Sequence, residues 1–82
     1  MINNERLYWI EKAAYNVAFC ESQVKRFEGR AEASAYVVDR LAESRNDLEC
    51  LKGYAEEAGI SKAAIDGAVK RGMNEFERWC KK

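Results

Sequence analysis

Eleven of the fourteen residues between Leu7 and Cys20 are apolar or aromatic: Leu7, Tyr8, Trp9, Ile10, Ala13, Ala14, Tyr15, Val17, Ala18, Phe19 and Cys20. Only Glu11, Lys12 and Asn16 interrupt them. Wound into a helix at 3.6 residues per turn, these positions point nearly all the way round the axis. A helix of that kind must be covered on most sides. The chain has 82 residues with which to do it, and a chain of that length buries only about 60% of its unfolded surface. The run therefore predicts a helix that another protein surface completes.

The rest of the chain is also helical in character. Proline is absent and glycines number five. Ala, Glu, Lys, Arg and Leu, all strong helix formers, are plentiful. Long β-branched runs and Asn-Gly hairpin signals are missing. The reading is one all-α domain over residues 1–82, with three helices at about 4–28, 32–58 and 61–80 in an antiparallel bundle.

In the first helix one seam follows Leu7, Ile10, Ala14, Val17, Glu21 and Val24, and a second follows Trp9, Ala13, Asn16, Cys20 and Phe27. Both have helical spacing, so the helix has two contacting surfaces. Asn3 or Asn4 is placed to cap it, with Glu5 near its positive end. Gly29 either ends this helix or sits within one continuous helix that joins the first two. The second helix carries a heptad-like seam of Ser34, Val37, Leu41, Ser44, Leu48, Leu51, Ala55 and Ala58. Its opposite face is charged: Glu32, Asp39, Arg40, Glu43, Asp47 and Glu49. Gly59 with Ile60 reads as a helix stop, and Ser61 as the next N-cap. The third seam is Ile65, Val69, Gly72, Phe76 and Trp79, flanked by Ala68 and Met73. Helices this long predict an elongated molecule with little depth.

Charge and chemistry exclude several functions. Lys plus Arg equals Asp plus Glu, 14 each, which argues against holding nucleic acid by bulk electrostatics. Histidine is absent, which removes the commonest general base and metal ligand. There is no Cys-x-x-Cys pair and no glycine-rich phosphate loop. No metal, cofactor, small-molecule substrate or catalytic residue is expected, and the chain does not read as an enzyme. Cys20, Cys50 and Cys80 are too widely spaced for a disulfide framework, and they read as buried small hydrophobes in a reducing cytoplasm. A reactive Cys80 beside Lys81 and Lys82 is the alternative for that thiol. Polar residues precede the apolar run, which is too short and too charged to span a bilayer. A cytoplasmic protein without membrane contact is the expectation.

One local pattern is more specific. Residues 51–72 read Leu-Lys-Gly-Tyr-Ala-Glu-Glu-Ala-Gly-Ile-Ser-Lys-Ala-Ala-Ile-Asp-Gly-Ala-Val-Lys-Arg-Gly. Ala55 stands where two helices would touch, Gly59 in the turn, Ile60 just after it, and Ile65 and Ala68 face inward. This stretch, about a quarter of the chain, resembles the helix-turn-helix of phage Cro-type repressors. The resemblance implies that helix 61–71 is a recognition helix. Ser61, Lys62, Ala63, Asp66 and Lys70 would then face the major groove, with Arg71 near phosphate.

Two functional readings follow. In the first, the chain is a non-catalytic interaction module that binds itself, as a homodimer or higher oligomer, and another protein. It would be a regulator or inhibitor of the kind a phage or plasmid encodes. Its interface residues would be Leu7, Tyr8, Trp9, Tyr15, Phe19, Phe76 and Trp79, since aromatic anchors dominate interface energetics. In the second, it is a dimeric DNA-binding transcriptional regulator acting through the helix-turn-helix residues.

Overall fold

The first helix lies between the other two. The structure, a computed structural model, describes residues 2–81 and contains α1 (Ile2–Arg26), α2 (Ala31–Glu57) and α3 (Lys62–Cys80), with no strand among the described residues. α1 packs along most of its length against both α2 and α3, whereas α2 and α3 meet only near their shared corner. Consecutive helices run antiparallel, so α1 and α3 are parallel: Arg71 lies beside Glu11, and Phe76 beside Tyr15 and Phe19. The expected antiparallel three-helix architecture is present, and its spatial order is α2–α1–α3.

The inner seams explain this order. From α1, Ile10, Ala14, Val17 and Cys20 are buried. α2 contributes Val37, Leu41, Ser44, Leu48 and Ala55, and α3 contributes Ile65, Ala68, Gly72 and Phe76. The α2 seam is therefore the expected heptad row, ending at Ala55, because Ala58 is the exposed C-cap. Ser44 is the one polar residue in the described core. Asn16 donates an amide hydrogen bond to its hydroxyl at 3.1 Å, and the Cys20 thiol lies 3.3 Å away. Mid-helix polar contacts of this kind fix the register of two helices.

α3 approaches α1 more closely still. A Cβ built at Gly72 would collide with the Glu11 carbonyl oxygen, and would lie 2.9 Å from Ala14 Cβ and 3.0 Å from Tyr15 N. Only glycine permits this crossing, because the backbones themselves are in contact. Two ion pairs bracket it, Glu11–Arg71 at 3.4 Å and Lys12–Glu75 at 3.7 Å. All four side chains reach solvent, so each pair contributes little beyond orientation.

The turns settle the open question at Gly29. The helix stops at Arg26, Gly29 adopts φ 90°, and the Arg30 amide donates to the Phe27 carbonyl at 3.1 Å. α1 and α2 are therefore separate helices, not one continuous rod. The second corner is a Schellman motif: the Ile60 amide donates to Ala55 O at 3.1 Å and the Gly59 amide to Glu56 O at 3.0 Å, with Gly59 at φ 86°. Ser61 then caps α3 by accepting from the Ala64 amide at 3.2 Å. At the start of the chain the expected cap is displaced. α1 already begins at Ile2, so Asn4 lies inside the first turn, and the Asn3 side chain is outside the described residues.

Three helices laid side by side make a thin body. Its extents are 43 × 27 × 17 Å and its radius of gyration is 13.9 Å, against about 12 Å for a compact chain of this length. Accessible surface is 6031 Å², where a compact monomer of this mass exposes about 5,000 Å².

Two glycines provide a paired test. Gly72→Ala should destabilise the fold by about 1–3 kcal/mol, lowering the melting temperature by at least about 4 °C. Gly53 lies inside α2, and a Cβ placed there would meet no atom within 4 Å. As alanine it should gain about 0.5–1 kcal/mol. Thermal melts followed by circular dichroism check both, and a Gly72→Ala chain that melts at or above the parent would contradict the close crossing.

Candidate interaction surface

With its inner seams facing α2 and α3, α1 keeps one side turned outward. Lys12 and Tyr15 line the groove toward α2, with Asp47 and Tyr54, and also the groove toward α3, with Arg78 and Trp79. They therefore mark the ridge between the two grooves. Tyr8, one turn before Lys12, and Phe19, one turn after Tyr15, continue the ridge at helical spacing.

The aromatic side chains here hold one another in place. Tyr8 is 50% exposed and meets Trp9 edge to face at 5.3 Å, while Lys12 Nζ sits 5.3 Å from the Tyr8 ring centre. Trp9 is 53% exposed. Farther along, Phe76 of α3 is the hub of a second cluster. Tyr15 and Phe19 meet it edge to face at 5.6 and 6.2 Å, and Trp79 stacks on it at 6.3 Å. Phe76 is only 8% exposed, whereas Trp79 is 59% and Phe19 38% exposed. Such contacts contribute about 0.5–1.5 kcal/mol each beyond the area they bury, and they restrict the exposed rings to few rotamers.

The residues expected at an interface thus fall into three positions. Tyr8, Trp9, Phe19 and Trp79 are exposed. Leu7 and Tyr15 are half-buried, with Leu7 packed against the core. Phe76 belongs to the interior and supports Phe19 and Trp79 from beneath. Sequence reasoning passed over Tyr54 and Tyr36, which are also largely exposed. The available signal was a second row on α2, Tyr36, Arg40, Glu43, Asp47, Cys50 and Tyr54, spaced by four and three in alternation.

The cysteine reading needs correction. Cys20 is buried, but Cys50 and Cys80 are exposed, and all three are free thiols. Cys50 and Cys80 are sequence neighbours of the seam residues Leu51 and Trp79, and a one-residue step turns a side chain about 100° away. Glu21, on the first seam by spacing, is likewise exposed.

Residues 51–72, the stretch with the helix-turn-helix resemblance, have Ala55, Ile60, Ile65 and Ala68 buried around the Gly59 corner. Ser61, the N-cap, and Lys62, Ala63, Asp66 and Lys70 on α3 lie exposed. Arg71 is exposed as well, but its Nε donates to Glu11 across the α1–α3 contact. Among the described residues no group of His, Cys, Asp and Glu could hold a metal ion, and no helix is long and apolar enough to cross a membrane. Comparison of the chain with protein-family models, with curated proteins and with solved structures finds no match.

The thiols report directly on this arrangement. At high dilution an alkylating reagent should modify Cys50 and Cys80 within minutes, while Cys20 reacts only as fast as the fold opens. Mass spectrometry of the time course would show it; prompt modification of Cys20 would contradict its place between α1 and α2.

Proposed function

We propose that this chain is a non-catalytic protein–protein interaction module, a regulator or inhibitor that self-associates and engages a larger protein through the aromatic ridge of α1 and the adjoining Trp79. The carrying observation is the exposure of Tyr8, Trp9, Phe19 and Trp79, each between 38% and 59%, on one side of a chain with few large apolar residues to leave outside. Scattered exposed aromatics are ordinary, but a contiguous set marks a contact surface. The rings are already held by edge-to-face and stacked contacts, so little side-chain entropy is lost when a partner covers them. Tyr and Trp are also the residue types on which binding energy concentrates.

Sedimentation of the parent beside Trp9→Glu and Phe19→Glu variants tests the reading. Association should weaken at least tenfold in each variant; the Trp9→Glu monomer should melt within about 1 kcal/mol of the parent, as exposed substitutions do, while Phe19→Glu, which also removes the edge-to-face contact with Phe76, should melt lower. A parent that stays monomeric and draws no protein from its native cell through this face would overturn it.

A second reading is a dimeric DNA-binding regulator. It draws support from the tight Gly59 corner and from the exposed N-cap Ser61 and the exposed Lys62, Ala63, Asp66 and Lys70 on α3. In this reading a gel-shift titration at low salt shows weak, salt-sensitive binding to random duplex. No retardation at any salt concentration would dismiss it.

A further inference from the structure

The groove between α1 and α2 is walled by aromatic rings and holds a carboxylate that no base of the described chain answers. Trp9, Tyr15, Tyr54 and Asp47 line it, together with Ala13 and Leu51, and it is open, with a volume of about 660 Å³. The Asn16–Ser44 hydrogen bond sets the register of the two antiparallel helices, so Ala13 lies level with Asp47 and Trp9 level with Leu51. Asp47 therefore stands along the groove between the Trp9 and Tyr54 end and Tyr15. Trp9 and Tyr54 are both more than half exposed, so ring surface is free to meet a ligand.

Asp47 is exposed and forms no ion pair among the described residues. Its neighbours one turn away on α2 are Glu43, Ser44, Cys50 and Leu51, and none of them is basic. Glu43 adds a second negative charge there. Lys12 is the one base among the described residues that borders the groove. Its ammonium is engaged on the other side of α1, with Nζ 3.7 Å from Glu75 of α3 and 5.3 Å from the Tyr8 ring centre. The faces of aromatic rings are negative, and a carboxylate among them adds to that potential. The chemical complement of such a groove is an organic cation.

We infer that this groove takes an arginine side chain of the larger protein partner. The inference rests on the interaction-module reading above and specifies the partner's chemistry. The openness of the groove selects arginine over lysine. An ammonium is compact and strongly hydrated, and a groove open to water does not strip that shell. A guanidinium is planar and more weakly hydrated. It lies flat on a ring such as Trp9 or Tyr54 while its edge donates two parallel N–H bonds to a carboxylate such as Asp47.

Blocked single amino acids titrated into the whole chain, followed by nuclear magnetic resonance, test this. N-acetyl-arginine methylamide should shift the Trp9 indole N–H and the backbone amides around Asp47, while the Trp79 indole stays in place. The citrulline analogue has the same shape without the charge and should shift neither at the same concentration. The lysine analogue should bind at least about threefold more weakly than arginine. Asp47→Asn keeps the size of an exposed side chain, so it should melt with the parent, and its affinity for arginine should fall at least about threefold. Tyr54→Leu should weaken arginine by a similar factor. An equal response to arginine and citrulline, lysine binding as tightly as arginine, or an arginine affinity unchanged in Asp47→Asn overturns the proposal. So do Trp9 shifts that follow chain concentration and ignore arginine, because a second copy then fills the groove. In any of these cases, association that still weakens in Phe19→Glu, a ridge position outside this groove, leaves the interaction reading standing.

Discussion

The packing of α1 against two neighbours at once is the constraint on which the other features depend. α2 and α3 share only a corner, so each is held mainly through α1. Ile10 and Ala14 are completely buried in that middle helix, and shortening a side chain such as Ile10 to Ala typically costs about 2–5 kcal/mol. Because a domain of this size has only about 5–12 kcal/mol in total, the core is not redundant. Its closeness comes from small residues at the crossings: Ala14 and Gly72 between α1 and α3, and Ser44 and Cys20 between α1 and α2.

That arrangement has a consequence for the surface. A helix flanked on two sides in a body 17 Å thick still has an outer side, and here that side carries Tyr8, Tyr15 and Phe19 where charged residues would make a solvated face. Phe76 couples interior to exterior, because it is buried itself and still supports Phe19 and Trp79. A change at Phe76 would disturb both the α1–α3 contact and the exposed rings above it, so stability and binding cannot be separated at that position. Tyr8 and Trp9, which meet edge to face away from Phe76, can be altered with less effect on the core.

Much of this was legible in the residues. The helices, the Schellman corner at Gly59 and Ile60, the Ser61 cap and the heptad row of α2 all follow from local rules that act over a few residues. Two seams on α1 correctly announced two neighbours. What could not be read was which helix occupies which side, because periodicity gives faces but not the identity of the element that covers them. Phe76 and Trp79 share a seam by spacing, yet only Phe76 lies under the crossing, while Trp79 stands near the end of α3. Cys50 and Cys80 were misplaced for a related reason: adjacency in sequence to a buried residue is not adjacency on a helix face. Gly29 was undecidable locally, since glycine tolerates both a helix interior and a left-handed turn, and the choice is made by the distant packing of α2 back onto α1.

Native-state hydrogen exchange resolved by residue tests the central role of α1 most directly. Amides from Ile10 to Cys20 are expected to exchange only through global unfolding and to be the slowest in the molecule, with α2 and α3 opening earlier toward the ends that lie away from α1. Protection of α2 or α3 that equals or exceeds that of α1 along its length would contradict it.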